Sequence, residues 1–320
     1  MPSVSIVVPA YNAERTILET IRSIQAQTFS DFELIVINDG STDQTLQRLD
    51  TVEDTRLKVF SYENGGLPVA RNRGIQRSTG EFISFIDADD LWTPDKLELQ
   101  LKALQEHPDA GVAYSWTAFI DEQSTVFHYN DPIWYEGNVY HDLLLKCFIA
   151  NGSNILVRQE CVKAVGEFDP SLRSTEDWEY YLRLASQYPF VLVPKHQILY
   201  RRSASSMTSK VTVMEKYNLL VAERAFQSAP QEFQYLKNQS LSNIYIFITK
   251  ICLEHECNKD GVKQARSKLA KAIQLYPKAL LDQKNQYLLL KLVLLSLLSY
   301  KTVRYMADMF RKGVSVIRAN

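Results

Sequence analysis

Three carboxylates, Asp87, Asp89 and Asp90, stand within four residues directly after the apolar run Phe82-Ile83-Ser84-Phe85-Ile86. Like charges this close disfavour one another's ionisation unless a cation or solvent neutralises them. Alternate residues of an extended segment point the same way, so Asp87 and Asp89 can face one ligand together. Such oxygen donors suit Mg2+ or Mn2+, which bind through one or two carboxylates and complete their shell with substrate phosphates. The same residues would equally serve as an acidic turn capping the helix that begins near Pro94. A second acidic pair, Glu176-Asp177, opens an amphipathic segment. There a carboxylate can take a proton from a reacting hydroxyl or simply complement the helix dipole.

Further polar residues sit where apolar runs end. The first run ends in Pro9-Ala10-Tyr11-Asn12 and the second in Asn38-Asp39-Gly40-Ser41-Thr42-Asp43. The second group is good turn and cap chemistry, although Asp39 could also accept hydrogen bonds from a base or ribose. Arg71 and Arg73, within Gly65-Gly66-Leu67-Pro68-Val69-Ala70-Arg71-Asn72-Arg73-Gly74, can face a diphosphate or lie solvated on a helix, and Arg201 and Arg202 leave the same choice. Trp92 and Trp178 adjoin the acidic motifs and could stack on a sugar or fill a core.

The elements that must position these residues alternate as βαβ units do, which predicts an α/β fold with a mostly parallel sheet flanked by helices. Strands are expected at residues 4–8, 32–37, 57–61 and 82–86, and helices at 16–27, 68–77 and 95–106. In this class of sheet, ligands gather outside the carboxyl ends of the strands, where the polar motifs fall. After residue 110 the alternation loosens into short strands and turns, with helices expected at 159–165 and 176–187 and strands at 190–193 and 198–202. Beyond about residue 210 nearly everything reads as helix. The expected organisation is therefore a domain over 1–210, with halves 1–110 and 111–210, and a helical region over 211–320.

Composition narrows the class. The 320 residues carry 36 basic and 37 acidic side chains, so no overall field draws the chain to nucleic acid. Four cysteines are too few and too scattered for a disulfide framework, which points to a reducing cytosol. Residues 1–9 lack a basic n-region, and no stretch reaches the roughly 18 uninterrupted apolar residues of a spanning helix. Residues 288–320 combine an apolar run with six basic residues and one acidic, Asp308. They can be a core helix followed by a solvated one, or a peripheral contact with the inner face of a membrane. No GxGxxG follows the first strand, and no GxxxxGK[ST] occurs, which disfavours dinucleotide and P-loop chemistry.

Taken together and in order, PAYN, VINDGSTD, ARNRG and FIDADD resemble the family 2 glycosyltransferases with a GT-A fold. VGEFDPSLRSTEDWEYYLRLA resembles the acceptor half of that family, and YRRSASSMT its loop over the donor phosphates, with Ser203 and Ser205 where a histidine and a glycine are usual. The resemblance implies an inverting, metal-dependent transfer from a nucleotide-sugar donor, usually a UDP-sugar, to a hydroxyl of a polysaccharide, glycolipid or lipid-linked glycan of the cell envelope. It implies that Pro9, Tyr11, Asp39 and Arg71 hold the nucleotide, that Asp87 meets the ribose, that Asp89 binds Mn2+ or Mg2+, and that Asp177 is the general base. The alternative is a non-catalytic module that binds a nucleotide sugar or recruits a partner.

Overall fold

A computed structural model describes residues 2–202, 210–255 and 259–297. The chain divides into two compact units, Met1–Ser206 and Met207–Asn320.

The first unit starts with β1 (Val4–Ala10), α1 (Ile17–Gln25), β2 (Phe32–Asn38), α2 (Thr45–Leu49), β3 (Leu57–Ser61), α3 (Leu67–Arg77) and β4 (Phe82–Phe85). Every residue of β1, β2 and β4 is buried, the signature of strands covered on both faces. β1 pairs in parallel with β2 and β4, and β2 with β3, so the ends of β1, β2 and β4 open on one edge. Ile17, Ile21 and Ile24 recur along α1 and bury its inner face against this sheet. α3 comes closest to the sheet at Gly74, where an added Cβ would lie 2.2 Å from Val7 Cγ1.

The chain continues through β5 (Leu91–Trp92), α4 (Lys96–Glu106), β6 (Val112–Ile120), β7 (Val126–Tyr129), α5 (Tyr140–Leu145), β8 (Leu156–Arg158), α6 (Gln159–Val165), α7 (Glu176–Ala185) and β9 (Phe190–Arg201). The sheet order is β3-β2-β1-β4-β8-β6-β9-β5, with β7 added beside β6. β8 inserts antiparallel between β4 and β6, joining the regular first half to the second. The fold is thus the expected mixed, mostly parallel sheet flanked by helices. Where two strands are expected around Pro194, one continuous β9 runs from Phe190 to Arg201. Its register against β6 shifts on either side of Trp116, and Pro194 falls within the first shift, between Val193 opposite Ser115 and His196 opposite Trp116, a place where a missing ladder donor is tolerated.

The second unit consists of α8 (Val211–Ser228), α9 (Lys237–His255), α10 (Lys259–Leu275) and α11 (Gln283–Leu297), with short 3-10 turns before α9 and α11. The 203–208 stretch expected over the donor phosphates lies outside the described residues, as do residues 298–320 of the basic tail.

The Gly74 contact generates a test. Alanine normally stabilises a helix relative to glycine by about 1 kcal/mol, but overpacking against a stiff β-branched neighbour costs about 1–3 kcal/mol. Gly74→Ala is expected to lower the urea midpoint of the first unit; a raised midpoint would show that α3 can move away from Val7.

Candidate active site

The three acidic residues after β4 divide by environment. Asp90 turns inward: its carboxylate accepts from Ser153 Oγ at 2.5 Å and from the Arg201 backbone N–H at 2.9 Å. Burial, and then the charges of Asp89 and Asp87, push its carboxyl well above the usual range. Asp89 turns outward and is exposed. Its carboxyl is pushed up to about 6, first because surrounding protein limits its hydration and then because Asp87 adds like charge. Asp87 is partly exposed, and its backbone N–H donates to the same Ser153 Oγ at 2.9 Å. The loop is pinned from behind as well. Thr16 and Thr20 of the first helical segment donate to the carbonyls of Ala88 and Asp90, and Arg201 Nε donates to that of Asp89 at 2.7 Å.

Arg201 itself is buried, and its remaining guanidinium nitrogens reach Glu19, Ser124 and the carbonyls of Asp121 and Glu122. It acts as a structural clamp on the acidic loop and does not face an open phosphate site. Trp92 and Trp178 are buried as well, and their indole N–H groups donate to the carbonyls of Ser153 and Leu143. Both therefore belong to the core.

The two remaining strand ends form one surface. Pro9 is buried within β1, and Tyr11, two residues on, is exposed. Asn12, at φ 49°, receives Thr42 N–H on Oδ1 and donates its own N–H to Ser41 Oγ, so the PAYN and DGST turns are tied together. Asp39 is buried beside them. Its carboxylate accepts from the N–H groups of Gly65 and Gly66 and from Arg73 Nη1 at 2.7 Å. The carboxylate thus shapes the glycine turn that leads into α3.

Arg71 holds the site together. It projects from α3, is 1% exposed, and joins Asp87 and Glu176 through Nη2 and Nη1, each at 2.7 Å. The sequence-predicted donor loop and base helix therefore meet across a single guanidinium. Attraction to Asp87, Glu176 and Asp177 outweighs desolvation and keeps Arg71 firmly protonated. Glu176 is buried and its carboxyl is pushed up to about 7; Arg71 opposes that rise and Asp177 adds to it. Asp177 is partly exposed and also raised above the ordinary value of 3.8, chiefly by desolvation, with Arg71 opposing. Its Oδ1 accepts from the N–H of the adjacent Trp178, and its partial exposure leaves the carboxylate within reach of a ligand.

Sequence reasoning did not single out the Asn151-Gly152-Ser153-Asn154 run that closes the arrangement. A Cβ on Gly152 would lie 2.2 Å from Arg71 Nη2. Asn151 O accepts from Tyr181 OH of α7, while Ser153 bonds both Asp87 and Asp90. The available signal was a polar, glycine-containing run between the apolar stretches 148–149 and 155–157.

The exposed Asp89 and the partly exposed Asp177 are thus held near one another by the buried Arg71 bridge between their segments. Comparison with known proteins identifies the family. The model of the glycosyltransferase-like family 2 matches residues 5–249. An uncharacterized glycosyltransferase of Rickettsia typhi is 31% identical over 263 residues, covering 78% of this chain and 80% of the relative. Another, from Rickettsia bellii, is 34% identical over 190 residues but much longer, so that the match spans 26% of it. The chain belongs to the family 2 glycosyltransferases. Among solved structures, residues 1–349 of Staphylococcus aureus TarS align at a TM-score of 0.59 and 20% identity, over 97% of this chain and 92% of that one. A Pyrobaculum calidifontis mannosyltransferase, solved with GDP-Man and Mn2+, aligns at 0.60 and 18% identity, over 94% and 82%. These neighbours share the GT-A architecture.

The geometry around Arg71 predicts that Gly152→Ala displaces the guanidinium from Asp87 and Glu176. Misplacing catalytic groups by about 1 Å can cost about 100-fold in rate, so kcat/KM should fall on that order while far-UV circular dichroism is unchanged. Native turnover by a folded Gly152→Ala protein would show that the bridge is dispensable.

Proposed function

We propose that the chain transfers a sugar, with inversion, from a nucleoside-diphosphate donor to an acceptor hydroxyl in polysaccharide or glycolipid synthesis. The observation that carries this reading is the Asp87–Arg71–Glu176 bridge, which brings the acidic loop after β4 next to the first turn of α7. Residues 1–110 would receive the donor and 111–210 the acceptor. Pro9 and Tyr11 would flank the nucleotide, Asp39 would lie at the base and Asp87 at the ribose. Arg71 would contribute mainly by fixing Asp87. A uridine donor follows from the family resemblance; TarS has been solved with UDP-GlcNAc, whereas the Pyrobaculum enzyme holds GDP-Man.

The residues present fit a hard divalent cation. Asp89 is an exposed oxygen donor whose ionisation is disfavoured by its neighbours, a condition that added positive charge relieves. No group of three potential ligands exists among the described residues, so substrate phosphates would have to supply the rest of the shell. Asp89 would hold Mn2+ or Mg2+, with Asp87 beside it, and a bound cation would stabilise the negative charge developing on the departing diphosphate.

Asp177 would accept the proton of the acceptor hydroxyl as that oxygen attacks the anomeric carbon. The C–O bond to the diphosphate breaks as the new bond forms on the opposite face, which inverts the centre. Because the Asp177 carboxyl is raised, its basic form is lost at a higher pH than for an ordinary aspartate. Turnover should therefore rise with pH along a limb centred above 3.8. The same reading places the reaction at the inner face of a membrane, where a lipid-linked acceptor would be presented.

Asp177→Asn is expected to leave donor affinity nearly native while kcat falls by about 100-fold or more and the acidic limb disappears. Full transfer activity in that variant would refute the base assignment, and native-like donor binding with no turnover in the unmodified protein would favour the non-catalytic module. Asp89→Ala is expected to abolish the EDTA-sensitive part of donor binding measured by calorimetry; binding indifferent to EDTA in the unmodified protein would overturn the metal role.

A further inference from the structure

Residues 130–135, between β7 and α5, form no regular element, yet they are pinned from behind. Side chains of the sheet donate to their carbonyls: Tyr114 OH to Tyr135 O at 2.6 Å, Trp116 Nε1 to Ile133 O at 2.9 Å and His196 Nε2 to Asn130 O at 3.0 Å. Ring contacts extend this support outward. Trp134 meets Trp116 edge-on at 5.2 Å, Trp116 meets His196 at 5.2 Å, and His196 meets Tyr129 of β7 at 4.9 Å. Trp134 and Tyr129 nonetheless stay 70% and 58% exposed. Aromatic rings of this size are ordinarily held by being buried. Here they are fixed at the back and wet in front, which lowers the ordering cost of binding a ligand. The shelf is also continuous with the site: Tyr135 and Tyr114 pack on Phe148 at 4.7 and 5.5 Å, and Phe148 leads into the Asn151-Gly152 turn that meets α7 and Arg71.

We propose that this shelf, with Trp134 and Tyr129 as its exposed rings, binds an uncharged oligosaccharide, the chain that carries the acceptor hydroxyl. This rests on the transferase reading above and narrows its acceptor to a neutral glycan. The C–H face of a pyranose is apolar and stacks on an aromatic ring, while the hydroxyls at its edge stay in water or meet polar groups; exposed Trp and Tyr suit a partner that is apolar on one side and wet on the other. Charge sets this occupant apart. Trp134 lies between the exposed Asp131 and Glu136, the latter also accepting from the Leu192 N–H at 3.0 Å, so an anionic bilayer or a phosphate-linked polymer would meet like charge. Among the described residues the cation contact of these rings is that of Lys146 with Tyr135, at 5.7 Å. A stable protein partner needs about 800 Å² per side around an apolar centre. The two exposed rings instead stand either side of the polar Asn130 and Asp131 in the chain, spacing that suits successive sugars more than one apolar patch.

The test applies the full chain, with UDP and Mn2+ present, to an immobilised array of bacterial oligosaccharides, some uncharged and some phosphate-bearing. Binding to uncharged members in preference to phosphate-bearing ones is expected. The tightest uncharged member is then titrated in solution, where stacking on Trp134 should change the tryptophan fluorescence, and its Kd is measured by calorimetry. Trp134→Ala should weaken that Kd about 10-fold and Tyr129→Ala about 3-fold, the range of an aromatic contact. Trp134→Phe keeps a flat ring and should stay within about 3-fold of native, a rescue that a merely structural loss would not show; unchanged circular dichroism checks the fold of each variant. Binding to no uncharged glycan, a preference for phosphate-bearing ones, or a native Kd in both alanine variants would overturn the proposal. So would a dimer in sedimentation velocity that dissociates in Trp134→Ala while glycan binding stays native, because the shelf would then be a contact between copies. The transferase reading is judged separately, from donor binding and turnover of UDP-GlcNAc and GDP-Man by the unmodified protein, so its failure and that of the shelf are told apart.

Discussion

A guanidinium buried between two carboxylates is the constraint around which the transferase unit is organised. Arg71 is almost wholly excluded from water, and a charge in that position is tolerated only with close opposite charges. Asp87 and Glu176 supply them at 2.7 Å from opposite directions, one from the end of β4 and one from the first turn of α7. Removing either partner would strand a buried charge, a loss of about 3–5 kcal/mol in comparable cases. The electrostatic requirement of one side chain thus fixes the separation of the loop after β4 from the first turn of α7. Gly152 is part of the same constraint, since any side chain there would occupy the space of Arg71 Nη2.

The same economy of placement governs the acidic loop. Three neighbouring carboxylates are not interchangeable once folded, because Asp90 is satisfied by Ser153 and the Arg201 backbone while Asp89 is left facing outward. Arg201, Thr16 and Thr20 bond to the loop's carbonyls, so the backbone that carries Asp89 is fixed without use of its carboxylate. This is what preorganisation for charge stabilisation requires: rigid support behind a group that stays unsatisfied in front. Asp39 shows the opposite arrangement, with its carboxylate engaged by Gly65, Gly66 and Arg73 in shaping the turn that leads into α3.

The regular first half was legible from local pattern because its strands are buried on both faces and its helices repeat isoleucine or leucine at helical spacing. The three-residue β8 and the two-residue β5 were not, since so short a strand carries no periodicity and exists only through the neighbours it pairs with. β9 passed through a proline that reads as a break in isolation, because a register shift against β6 accommodates it nearby. Trp92 and Trp178 could be assigned to the core, and Arg201 to a clamp, only once their surroundings were known.

By itself the sequence determined the class of chemistry. Residue type and order place carboxylates after β4 and at the start of α7, and these are one-dimensional facts that motif spacing carries. Which carboxylate faces outward, which is locked inside, and that Arg71 and Arg201 are buried among their partners were decided by tertiary structure. Hydration, hydrogen bonding and distance to opposite charge depend on segments about a hundred residues apart, as with Arg71 and Glu176, and no local pattern encodes a contact of that range.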